Sequence, residues 1–175
     1  MHYPDIDALP DHLKEIIRGK LGANVYKMLM HTPNVAPGFT AMADAVMWSK
    51  TWSAQLRELA IVRVGQLYAS PYEVHQHKQI GRRAGLSEAQ LAACALDADQ
   101  SALNDGERSI LRWTDAIVSK HRLAQADIDA AVALLGVNGF ADFVLTVGFY
   151  QAVCNFLNVF DVQVEDHDIF AAQRG

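Results

Sequence analysis

Leu56-Arg57-Glu58-Leu59-Ala60-Ile61-Val62-Arg63-Val64, then Ser70-Pro71-Tyr72-Glu73-Val74-His75-Gln76-His77, then Gly81-Arg82-Arg83-Ala84-Gly85-Leu86-Ser87 is the stretch that decides the fold. Leu56, Leu59, Ala60, Val62, Arg63, Val64 and Leu67 define a broad apolar face at helical spacing, and Ser53 is placed to cap a helix over 54–69. Ser70-Pro71 restarts the chain with proline at a first helical position, and Gly85 supplies the usual C-terminal stop. The segment therefore reads as a helix-turn-helix.

Outward from it the apolar spacing stays at three and four, and no Asn-Gly or Asp-Gly pair sits between alternating apolar residues. Short helices are expected over 11–18 and 24–31, and a longer one after Pro37-Gly38 that runs through Trp48. Ser87-x-x-Gln90 and Asn104-x-x-Glu107 are capping boxes that open two more. A helix over 124–135 should end at Gly136, and a last one should run over 140–160. The expectation is an all-α fold of about eight or nine helices in a single domain over 1–175, with its core motif at about 56–87.

Composition narrows the function. Of 175 residues 51% are apolar and 20% charged, the proportions of a folded globular domain. The net charge of -5 and the lack of a long basic run argue against nucleic acid or an anionic membrane as partner. There is no uninterrupted apolar stretch of about 18 residues and no basic-apolar leader, so no membrane span is expected and the expected address is the cytoplasm. Cys94 and Cys154, in separate apolar helical patterns, read as buried, inert thiols.

Glu73 and His77 stand four residues apart and project from one helix face, whereas His75 is turned about 200° from His77. A carboxylate beside an imidazole is a usable acid/base unit, because it orients the ring and raises its pKa. Glu58, on a mostly apolar helix, needs a partner if buried. The structural alternatives are equally concrete. Ser70-x-x-Glu73 is itself a capping box, Glu58 can pair with Arg57 or Arg63, and His77 can be a satisfied surface histidine. Tyr72, at the turn, is the aromatic residue placed to line a pocket or donate a hydrogen bond. Trp48, Trp52, Tyr68, Trp113, Phe149 and Tyr150 read as core or subunit interface.

The quoted segment resembles the core of the carboxymuconolactone decarboxylase and alkylhydroperoxidase D-like superfamily, and Gly148-Phe149-Tyr150 with Asn155-Phe156-Leu157-Asn158 resembles the final helix of its longer members. The resemblance implies an all-helical fold assembled as a homo-oligomer, trimer or hexamer. In the peroxidase branch a glutamate, a C-x-x-C pair and a histidine map to Glu58, to Ser70 and Glu73, and to His77. Both cysteines are thus missing, and a serine with a carboxylate cannot form the disulfide of a thiol peroxidase.

The decarboxylase branch, which lacks that pair, is the closer likeness. It implies Glu58, Glu73 and His77 as acid/base residues acting on a small anionic lactone-like or related organic acid. Ser70, Tyr72, Arg57, Lys78 and Arg82 are the candidate substrate contacts, and no metal or cofactor is expected. The alternatives are a non-catalytic oligomeric binding protein on the same fold and, disfavoured, residual hydroperoxide reduction. One geometric difficulty stands. Measured from the Ser70 turn, Glu58 lies about 18 Å back along its helix and His77 about 10 Å on, so a crossing angle, side-chain reach or another subunit has to close the gap.

Overall fold

In a computed structural model, which describes residues 1–167 and 169–170, the chain is all-helical, with eight α-helices and no strand among the described residues. They are α1 (Asp11–Gly19), α2 (Asn24–Leu29), α3 (Ala36–Met47), α4 (Ala54–Leu67), α5 (Pro71–Arg83), α6 (Glu88–Ala92), α7 (Asp105–Lys120) and α8 (Gln125–Val159). α4 is the axis of the molecule. Every residue from Arg57 to Gly65 is buried, and α5, α7 and α8 pack around it.

Side-chain caps open α4, α6 and α7. The Ser53 side chain accepts from the Gln55 amide to open α4. Both capping boxes form, Ser87 with Gln90 and Asn104 with Glu107. The third does not: Ser70 precedes α5 with extended backbone, but its side chain makes no cap bond and Glu73 is turned toward His77 instead. Pro37 and Gly38 lie inside the first turn of α3 and not before it, since a proline lacks only an amide that the first turn leaves unbonded anyway.

The two expected C-terminal helices meet end to end across a kink at Gly136, whose backbone (φ 71°, ψ 166°) is not helical, and together they make up the 35 residues of α8. An 18-residue window of α8 has mean hydropathy 1.8, long and apolar enough to cross a membrane by length and composition, contrary to the reading that no such stretch exists. Asn138 and Asp142 interrupt the apolar run without lowering its average enough. The inner face of α8 is core: Phe143, Val147, Cys154 and Leu157 are buried against α4 and α7, while 28% of that window as a whole is buried.

Two close approaches fix α4 against α5. A Cβ on Gly65 would fall 2.9 Å from Val74 Cγ2 and 3.3 Å from the Val74 backbone nitrogen. A Cβ on Gly81 would lie 3.6 Å from the Cβ of Glu58 and 2.9 Å from Leu91 Cδ2. Without these two glycines the helices would stand further apart. Arg63 anchors the opposite side of α4, gripping Asp115 of α7 with two bonds of 2.7 Å and donating to the carbonyls of Cys94 and Ala95.

Candidate active site

Because Gly81 brings α5 onto α4 level with Glu58, the residual offset between Glu58 and His77 is about one helical turn, which their side chains span. His77 Nδ1 lies 2.7 Å from Glu58 Oε2, and His77 Nε2 lies 3.0 Å from Glu73 Oε1. One imidazole thus sits between two carboxylates within the same chain. Glu58 is 0% exposed, Glu73 3% and His77 7%. Tyr150 of α8 places its ring edge-on to the imidazole, centroids 4.9 Å apart, which fixes the ring plane.

Burial works against charge on His77, but the carboxylates of Glu73 and Glu58 and their hydrogen bonds outweigh it and push the imidazole up to about 10. The ring is therefore a cation at neutral pH. Arg57 adds a second cation, its Nε 3.5 Å from Glu58 Oε1 and one Nη donating to the Ser49 carbonyl.

The three residues line a cavity of about 500 Å³. Its floor is Arg57, Glu58, Tyr72, Glu73, Gln76 and His77. Its walls come from α2, α3 and α8, chiefly Tyr26, Phe39, Met47, Phe149 and Val153, with Lys20 and Asp44 at an ion pair on one side. The Tyr72 hydroxyl donates to Glu165 Oε1 (2.8 Å), Gln76 Nε2 donates to Glu165 Oε2, and the Val25 amide donates back to the tyrosine oxygen. Glu165, beyond α8, thereby fastens the C-terminal segment behind the cavity floor.

Of the sequence-derived candidates, Arg57, Glu58, Tyr72, Glu73 and His77 line this cavity, and Ser70, Lys78 and Arg82 do not. Ser70 is buried against the Cys154 thiol. Arg82 is exposed and bound to Glu88. Lys78 lies on the same helix, one residue beyond His77 and away from the lining. Sequence reading did not single out Tyr26, Phe39, Met47, Gln76 or Glu165, because none belongs to a spaced motif and tertiary packing alone brings them here. Phe149 and Tyr150 were read as core or interface and serve the cavity wall as well.

A family model for the "Carboxymuconolactone decarboxylase family" matches residues 33–116, which contain every floor residue named above and no residue of α8 or the C-terminal segment. The structure resembles the alkylhydroperoxidase AhpD core protein, an uncharacterized peroxidase-related protein from Ralstonia eutropha JMP134, with TM-score 0.83 at 21% identity over 95% of this chain and 92% of that one. Residues 33–116 thus match the carboxymuconolactone decarboxylase family, and the fold is that of the alkylhydroperoxidase D-like proteins.

A second protein of similar structure is an uncharacterized peroxidase-related protein from Silicibacter sp. TM1040, with TM-score 0.81 at 20% identity, covering 95% of this chain and 91% of that one. A third similar structure is the debrominase Bmp8, a variant in complex with 2,3,4-tribromopyrrole, with TM-score 0.74 at 16% identity, covering 89% and 86%. At these identities the likeness is one of fold. No curated protein sequence matches the chain.

The two thiols stand apart from the cavity. Cys94 packs with Leu59, Leu91 and Leu111, while Cys154 lies in the main core, both 0% exposed. Burial pushes the Cys94 thiol up to about 12 and raises that of Cys154 as well, so neither is a thiolate at neutral pH. Among the described residues no group of three or more His, Cys, Asp or Glu is disposed to hold a metal ion.

Proposed function

We propose that this protein is an acid/base enzyme of the lyase or isomerase type, moving a proton on a small organic ring or lactone-like substrate. The observation that carries this reading is the buried Glu58–His77–Glu73 row on the floor of a largely apolar cavity. The imidazolium can pass a proton through Glu73 to a carbon of the substrate and regain one from the product or from water entering the cavity, while Glu58 holds the ring in place.

Glu73 is taken as the substrate-facing end: it lines the cavity, and its Oε1 lies 3.0 Å from the imidazole Nε2. His77 carries the proton, and Glu58 holds the ring and balances its charge. Arg57 is the cation nearest the row and is suited to meet negative charge that develops on an enolate or alkoxide oxygen. Decarboxylation, named in the family description, is one reaction of this type, since loss of carbon dioxide leaves an enolate to be protonated. The debrominase that shares the fold and binds a small halogenated ring supports enzyme chemistry on compact rings in this scaffold.

A purely structural role for the row would need no cavity beside it, and a thiol route would need a cysteine on the cavity wall. Self-association and a cytoplasmic location belong to the same proposal. Exposed Val144, Leu145 and Val159 on α8, with Trp48 at 76% exposure, support self-association, and a single monomeric species in sedimentation would refute it.

The test is proton exchange at carbon. Small lactones and enolisable ring ketones are incubated with the protein in D2O, and deuterium incorporation is followed by NMR. Glu73→Gln and His77→Gln should each slow the exchange of an accepted compound by about 100-fold or more. Rates unchanged in both variants would remove the relay from the reaction.

A further inference from the structure

The cavity's charge and hydrogen-bond inventory says what kind of molecule fits it. Glu58 and Glu73 are matched by His77 and Arg57, so the floor is already neutral as a set. The other cations at the lining are engaged elsewhere. Lys20 is paired with Asp44, while the Arg83 guanidinium lies 4.5 Å over the Phe170 ring and donates to the Phe170 carbonyl. An entering anion would sit beside two buried carboxylates in a space that Phe39, Met47, Phe149 and Val153 keep apolar.

The unsatisfied groups point the same way. Among the described residues, four buried polar atoms of the cavity lining lack a hydrogen bond of good geometry: Arg57 Nε and Glu58 Oε1 face each other at 3.5 Å as an ion pair, Glu73 Oε1 lies 3.0 Å from His77 Nε2, and Gln76 Oε1 is the acceptor outside any ion pair. The Gln76 amide is oriented by its Nε2 bond to Glu165, so its oxygen is the end left over. A ligand completes this set by bringing a donor.

We infer that the cavity takes its ligand uncharged, as a compact ring that carries one O–H or N–H donor aimed at Glu73 and Gln76. The inference rests on the acid/base reading of the same site and narrows its substrate class: the expected small organic acid gives way to a phenol-, enol- or pyrrole-like ring. It also identifies Gln76 as a binding residue that no motif marked. The surrounding field agrees, for burial and then the charges of Glu73 and Glu58 hold the Tyr150 hydroxyl well above its ordinary range, as a neutral donor. A second anion in the same space meets the same opposition.

Three ring compounds of nearly equal size separate the possibilities at neutral pH: 4-methylphenol, uncharged with a donor; toluene, uncharged without one; and 4-methylbenzoate, an anion. Binding to the full-length protein is followed by ligand titration, with the His77 imidazole NMR signals reporting whether the compound lies in this cavity. The expected result is that 4-methylphenol moves the His77 signals and binds at least about tenfold more tightly than either of the others. In Gln76→Leu, which removes one acceptor, its advantage over toluene should shrink.

Equal or tighter binding of 4-methylbenzoate, equal binding of toluene, or His77 signals unmoved by saturating 4-methylphenol would overturn the inference. None of these outcomes decides the acid/base reading. That reading falls instead if proton exchange survives in Glu73→Gln and His77→Gln.

Discussion

Glu58 and His77, 19 residues apart on two helices joined by a tight turn, meet through a 2.7 Å contact between Oε2 and Nδ1. The contact buries a carboxylate completely, so the row that serves the proposed chemistry also joins α4 to α5. Removing one member of a buried pair leaves the other uncompensated, at a cost of about 3–5 kcal/mol. Glu58→Ala should lower the free energy of unfolding by that order in urea titrations. Glu58→Gln should cost less, because its amide oxygen still accepts from the ring.

Stability should depend on pH through the same ring. The folded-state pKa of His77, near 10, lies above its ordinary value of about 6.5. Between these values the folded protein holds a proton that the unfolded chain has lost, so stability falls as pH rises across that window. The stabilisation is complete below about 6.5 and gone above about 10. Urea midpoints of wild type and His77→Gln should therefore converge as pH is raised from 7 towards 10, and a gap that widens would reverse the sign of the linkage.

Gly65→Ala tests the close approach of the two helices. The added carbon meets the backbone of Val74 as well as its side chain, and backbone cannot rotate away. A loss of about 1–3 kcal/mol is expected from overpacking, read from thermal or urea unfolding. Gly81→Ala meets the flexible ends of Leu91 and Leu86 and should cost less.

Replacing both cysteines with serine should leave any hydroperoxide turnover with a dithiol reductant unchanged, at a background rate. Both thiols are sealed in core clusters, and the positions nearest the relay hold Ser70 and Glu73. A dithiol-dependent rate abolished by Cys94→Ser or Cys154→Ser would restore a thiol mechanism.

How far these features can be read from sequence differs by element. The helix-turn-helix and two of its neighbours' starts follow from local signals, because capping and apolar spacing act over a few residues. The Ser70 cap failed for a long-range reason: Glu73 gains more from the His77 imidazole across one turn than from the Ser70 amide. Glu58, Glu73 and His77 are legible as a group from their types and spacing, but the contact between Glu58 and His77 depends on Gly81, whose role shows only when α5 is laid against α4. The cavity walls from α2, α3 and α8, and Glu165 behind the floor, have no local signature at all. Their positions come from tertiary packing of segments up to 141 residues apart, as when Glu165 accepts from the Asn24 amide.

The central claim is that His77 is held as an imidazolium between two carboxylates, and its direct test is an NMR titration of the His77 ring nitrogens. Both should carry protons at pH 8, with titration near pH 10. A ring already neutral at pH 8, titrating near the ordinary value of about 6.5, would contradict the account.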